Sequence, residues 1–204
     1  MAEVVADTPN RTQQCRESVS RIDQVARDVV DRVVGRSLQR VEYVVSPDIP
    51  DLETWCKDHG DMHELDYGVQ FEMDDGFRWS ATWVGPPCYV LGLVAGGVLR
   101  EGSGEPLLGI DVSSKPWWLA SIGQCIKSIH LRSEAVPADF MFGISKELLS
   151  ATVDAEVCLE NGKKFWLSTR MYFPGQQPEG QLLDDCVLVS FAESRAARLG
   201  VRIR

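Results

Sequence analysis

Within PDIPDLETWCKDHGDMHELDYG, residues 47–68, three side chains with metal-binding or acid–base chemistry stand close together: Cys56, His59 and His63. A thiol and two imidazoles at this spacing suit zinc, and one turn of helix would bring them onto one face. Carboxylates surround them at Asp48, Asp51, Glu53, Asp58, Asp61, Glu64 and Asp66. Other features weigh against a metal. No second ligand pair stands elsewhere, His130 falls in a strand-like run, and Gly60 loosens any helix. A calcium loop is excluded because the Asp-x-Asp-x-Asp-Gly order is missing. The alternative is a charged surface loop.

No other stretch names a reaction. The sequence contains no Gly-x-Ser-x-Gly, no phosphate-binding Walker loop and no His-Glu-x-x-His. GSGEP, residues 102–106, lacks the third glycine of a dinucleotide fingerprint. Cys125 and His130 lie five apart on one expected strand and so face opposite sides. Asp74-Asp75 and Asp184-Asp185 read as turn formers before strands. No catalytic residue and no cofactor is assigned on this basis.

Charge is more informative. The net charge is −9, and residues 48–75 alone hold ten acids against one base, Lys57. The remaining sequence carries twenty acids and twenty bases, so one segment of 28 residues holds the whole excess. An acidic chain makes a poor direct ligand for nucleic acid, whose phosphates need Lys and Arg. It suits a basic protein partner. The residues expected to meet that partner are Asp58, Asp61, Glu64, Asp66, Asp74 and Asp75, with Trp55 as the apolar anchor.

The elements that hold this segment follow from periodicity. Thr8-Pro9 reads as a helix start, and Cys15, Val19, Ile22, Ala26, Val29 and Val33 recur three and four apart up to Gly35. The expectation is a long amphipathic helix over about 9–34, laid against a sheet rather than in a coiled-coil seam. Beyond Gly35 the period becomes two. Leu38, Val41 and Tyr43 mark a strand, YGVQFEMDDGFRWSATWV a hairpin turning at Asp75-Gly76, and CYVLGLV a further strand. The second half repeats this order. IGQCIKSIHLR answers VGRSLQRVEYV, Asn161-Gly162 answers Asp75-Gly76, and CVLVSFA answers CYVLGLV.

The expected architecture is α+β, a single domain over 1–204, with about eight antiparallel strands from two similar halves behind the N-terminal helix. The halves, about 35–94 and 123–192, read either as an internal duplication or as hairpins with convergent turns. Trp117-Trp118 opens a short helix before Gly123, with one of the pair in the core. The six cysteines lack close pairs and read as reduced core residues. MAEVVADTPN lacks the features of a signal peptide, and no apolar run approaches the roughly 20 residues of a membrane span. The expected location is the cytoplasm.

In charge, size and class, over the whole chain, the sequence resembles the small acidic immunity proteins that bacteria make against their own toxins. The resemblance implies an α+β fold without catalytic machinery, and carboxylates that block a basic cleft of a toxin domain. The expected function is therefore a non-enzymatic binding protein that masks a basic partner through residues 48–75. Two other readings stand beside it: an enzyme whose site is assembled from distant residues, and a regulator dependent on a metal at Cys56, His59 and His63.

Overall fold

The computed structural model describes residues 8–45, 56–84, 90–97, 107–137, 148–182 and 186–201. It opens with α1, Thr8–Val33, whose apolar spacing places Cys15, Val19, Ala26, Val29 and Val33 on one buried face, with Ile22 half-buried. Asp23 fastens the helix to the second half of the chain, since its carboxylate accepts from the Thr152 hydroxyl at 2.7 Å. Arg32 occupies the last turn, where a cation offsets the carbonyl end of the helix.

The first sheet contains β1 (Leu38–Val45), β4 (Gly68–Met73), β5 (Arg78–Val84), β6 (Val90–Ala95) and β7 (Leu108–Asp111), in the order β6-β5-β4-β1-β7. The second contains β2 (Cys56–Asp58), β3 (Met62–Leu65), β8 (Ile126–Pro137), β9 (Leu148–Leu159), β10 (Lys164–Ser168) and β13 (Val187–Ser190), in the order β2-β3-β13-β10-β9-β8. A small ribbon joins β11 (Arg170–Tyr172) to β12 (Gly180–Leu182). All pairings are antiparallel. Two short helices complete the described residues, α2 (Pro116–Leu119) and α3 (Glu193–Arg198). No helix among them is long and apolar enough to cross a membrane.

The fold is therefore α+β with a long N-terminal helix, but it has more than the expected eight or so strands: thirteen among the described residues, in sheets of five, six and two. The additional strands are three or four residues long, too short for a period of two to stand out. Two of them lie in the acidic segment itself. Where a surface loop was expected, β2 and β3 form a hairpin and extend the six-stranded sheet.

The two sheets share one core. Inward residues of the first, such as Val41, Tyr43, Phe71 and Trp79, meet Ile129, Val157, Phe165 and Leu167 of the second. Phe71 stacks on Trp79 at 4.3 Å and on Phe165 at 5.7 Å between ring centres. A second cluster seats Cys15 and Val19 of α1 against Val90, Val136, Leu149 and Ala151. The long β8–β9 hairpin supplies part of it, although Phe140, Met141, Phe142 and Ile144, expected as core, lie outside the described residues.

Strand order β1-β4-β5-β6 in the first half matches β8-β9-β10-β13 in the second. Each half carries a bulge at the same place, between Leu38 and Arg40 and between Ile126 and Ser128. The halves cross where they begin. Gly35 N donates to Ile126 O at 2.8 Å and Gly123 N to Leu38 O at 2.6 Å. Leu38 N donates to Gln124 O at 3.0 Å and Ile126 N to Arg36 O at 2.9 Å. Exchanging each residue with its counterpart carries every one of these bonds onto another, with the Ser37–Cys125 bridge at the centre. That is the signature of a local two-fold axis within one chain. Both glycines hold φ near +80°, a conformation that other residues adopt only with strain.

Burial of α1 within the chain gives a direct test. Val29→Ala removes two methyl groups from the core and is expected to cost about 2 kcal/mol in urea unfolding, while exposed Asp31→Ala stays within about 0.5 kcal/mol. A midpoint that moves with protein concentration would instead put this helix face in a dimer seam.

Candidate functional site

The β2–β3 hairpin carries most of the sequence-level candidates, and its register decides what each one does. Cys56 pairs with Leu65, Lys57 with Glu64 and Asp58 with His63. Alternation then sends His63 and Leu65 towards the core and Glu64 to the other face. The turn is shaped by Asp58, whose carboxylate accepts from Gly60 N at 2.6 Å. Trp55 lies outside the described residues.

His63 is fully buried. Its Nδ1 is 2.5 Å from the Tyr43 hydroxyl on β1, and the Trp118 indole N–H donates to that same hydroxyl oxygen at 3.0 Å. Tyr43 is itself fully buried, and burial holds its phenol well above the usual range, so it remains protonated. With an indole donating to the oxygen, the phenolic proton is directed to Nδ1. The imidazole then carries its own proton on Nε2, facing the Asp58 carboxylate at 3.7 Å. Hydrogen bonds thus link His63, Tyr43 and Trp118 across the two sheets, while Asp58 stands beyond hydrogen-bond reach of Nε2, which has no hydrogen-bond partner among the described residues. Trp117 and Phe191 press on the imidazole edge-to-face at 4.5 and 5.1 Å. Such a chain can polarise a proton, but neither Tyr43 nor His63 is open to a substrate.

Cys56, His59 and His63 do not converge. The hairpin replaces the helical turn that would have gathered them: His63 is turned to Tyr43, His59 packs on the Tyr172 ring at 4.7 Å, and Cys56 is buried at the sheet edge. Burial, reinforced by Asp58, pushes the Cys56 thiol up to about 12, away from the thiolate that zinc requires. Among the described residues no group of three or more His, Cys, Asp or Glu is placed to hold a metal ion. No disulfide links the described cysteines. Cys158, expected in the core, instead lies on a polar sheet face within 3.4 Å of Glu156.

The acids are largely engaged by cations from elsewhere. Asp61 binds Arg195 at 2.7 Å, and Arg195 continues to Glu179 at 3.3 Å and to the Tyr172 hydroxyl at 3.2 Å. Arg198 closes the other side of Glu179 and holds its carboxyl below the usual range. Glu64 pairs with Lys57, Glu72 with Arg78, and Asp75 with Arg32 at 2.7 Å. The Asp66 backbone carbonyl accepts from the Trp83 indole at 2.7 Å. Among the described residues Asp58 and Asp74 have no arginine or lysine partner. The expected single acidic surface is therefore divided: Asp58, Asp61 and Glu64 lie on the six-stranded sheet, Asp74 and Asp75 on a turn of the other.

The sequence pointed to Asp58 and His63 but not to Tyr43, Trp117, Trp118, Phe191 or Arg195 as their partners. Tyr43 is the one inward residue of β1 with a polar tip, the only local hint of a buried contact that needs a mate. Comparison of the chain with protein-family models, curated proteins and solved structures finds no match.

Because His63 must stay neutral to remain buried, its imidazole is pushed down from 6.5 to about 4. Between these values the unfolded chain takes up a proton that the folded chain refuses. This contribution is complete above pH 6.5 and is lost as pH falls towards 4, by roughly 3 kcal/mol. His63→Gln keeps an acceptor for Tyr43 and removes the titration. Urea midpoints from pH 7 to 4.5 should decline less steeply in this variant than in the unmodified chain. Equal slopes would mean that His63 is not held neutral.

Proposed function

We propose that the chain is a cytoplasmic, non-enzymatic binding protein that docks a basic protein partner on its acidic edge hairpin, in the manner of an immunity protein masking a toxin domain. One observation supports this reading most: residues 56–65, within the acidic segment, form the edge hairpin of the larger sheet. There Asp58 is 51 % and Asp61 41 % exposed. A charged edge also discourages strand-to-strand aggregation, and that role alone would account for Lys57 and Glu64, which neutralise each other. It does not account for Asp58, which has no arginine or lysine partner among the described residues. A partner's arginine or lysine would complete it, and the surrounding field would steer the approach.

The site within the expected set narrows accordingly. Asp58 carries the free charge, and Asp61 already serves Arg195. Glu64 is 11 % exposed and bound to Lys57, so it sits behind the surface. Asp66, Asp74 and Asp75 belong to the proposed surface only if the partner is broad enough to span both sheets.

Asp58→Asn is the clean probe, because it removes the charge and retains an oxygen for Gly60. Against a basic partner recovered from the native host, its association rate should fall about fivefold at low salt and converge with the unmodified chain at high salt. Asp74→Asn should leave the rate close to its original value. Equal loss from both would mean that net charge alone governs encounter, and no loss from Asp58→Asn would place the interface elsewhere.

A further inference from the structure

The hairpin turns of the two halves are alike in backbone and unlike in what covers them. Met73 N donates to Phe77 O at 2.8 Å and Leu159 N to Lys163 O at 2.9 Å. Phe77 N donates to Asp75 Oδ1 and Lys163 N to Asn161 Oδ1, both at 3.0 Å. In the first half the turn is closed by the chain's own groups. The Phe77 ring is half-buried beneath the Arg32 guanidinium, 5.2 Å from its centre, and Arg32 also binds Asp75. The counterparts in the second half are Lys163 for Phe77, Asn161 for Asp75 and Ala120 for Arg32. A ring and a guanidinium are missing there, and α2 is a single turn where α1 runs for 26 residues.

What remains is a cleft of about 430 Å³ lined by Trp117, Trp166, Phe191, Lys163, Lys164 and Glu193. Its volume lies in the range of small-molecule sites, and three aromatic rings stand there beside the polar side chains of Ser121, Lys163, Lys164 and Glu193. Trp166 is 3 % exposed, and its indole N–H has no acceptor among the described residues. Buried donors are nearly always satisfied, so this one marks a place for an acceptor. Lys164 is bound to Glu156 at 2.8 Å and also feels Glu193. Lys163 is exposed and pairs with no carboxylate among the described residues. The unspent polar capacity of the cleft is therefore two indole donors, those of Trp117 and Trp166, and one ammonium. Glu193 on the rim repels an anion locally and leaves the Lys163 side as the place for negative charge.

We propose that this cleft binds an aromatic carboxylate. The ring takes the apolar place that Phe77 fills in the first half, against Trp117 and Phe191, and the carboxylate accepts from the Trp166 indole and the Lys163 ammonium. The site is separate from the acidic hairpin and does not rest on the proposed docking there. The carboxylate can come from a free small acid or from the terminus of a peptide ending in an aromatic residue.

Nitrogen-15 NMR of the full chain tests this through the indole N–H signals. Phenylacetate should move the Trp166 signal downfield and saturate, with benzyl alcohol and benzylamine each at least tenfold weaker. Lys163→Glu, an exposed substitution with no packing role, should weaken phenylacetate about tenfold. Trp166→Phe should weaken it too, with circular dichroism confirming the fold. A peptide with a free C-terminal phenylalanine that binds when its amide does not would name a protein terminus as the source. Binding of phenylacetate alone would name a free acid. Benzyl alcohol equal to phenylacetate, benzylamine as the tightest ligand, no effect of Lys163→Glu, or no shift at millimolar phenylacetate would each overturn the proposal.

Discussion

The reciprocal crossing at Ser37 and Cys125 is the constraint on which the rest of the structure depends. Two stretches, each entering from a helix through a glycine with positive φ, exchange four backbone hydrogen bonds and bring the start of β1 beside the start of β8. Every other strand of the two larger sheets is added through antiparallel neighbours to one of these two, so the crossing sets how those sheets face one another. It also fixes which residues become core. Leu38 and Ile126 are held on the inner side, and the bulge after each shifts the alternation by one residue, which carries Val41, Tyr43 and Ile129 inward.

From that starting point the two halves diverge at their outer strands. Strand β6 ends its sheet and packs against α1, whereas its counterpart β13 takes β3 as a further neighbour. An exposed edge is an invitation to unwanted pairing, and the halves answer it by different means. In the second half the answer is the acidic segment. Its hairpin is anchored on both faces, through His63 to Tyr43 within the core and through Asp61 to Arg195 outside it. Much of what reads in sequence as surplus negative charge is thereby structural, matched by arginines from α1, β5 and α3.

The same economy appears in the buried ionic groups. Arg170 is 3 % exposed and grips Asp154 through two nitrogens at 2.7 and 3.0 Å, while Ser168 and Glu134 satisfy the remaining positions. Paired and fully hydrogen-bonded, such groups are tolerable, and losing one partner would strand the other in a medium that cannot solvate it. Glu156 repeats the arrangement with Arg132 and Lys164. The outer face of the six-stranded sheet is thus polar and buried at once, and the aromatic cleft opens where this network gives way to Trp166.

Local physics was enough to read the α+β class, the helix face, both hairpin turns and the matching order of the halves. Periods of 3.6 and 2, and glycine or asparagine at turns, act within a few residues and leave their record there. Short strands left no such record. Cys56–Asp58 and Met62–Leu65 are strands because β13 offers them an edge, and a charged run of three or four residues has no preference strong enough to announce it. Ion pairing was equally hidden. Asp61 and Arg195 are 134 positions apart, and only the path of the chain decides that they touch. Composition located the excess charge, whereas tertiary structure decided which carboxylates are matched by arginine or lysine from elsewhere in the chain. It also turned His63 from a candidate ligand into a neutral bridge between sheets, because the register of one hairpin points its ring at the core.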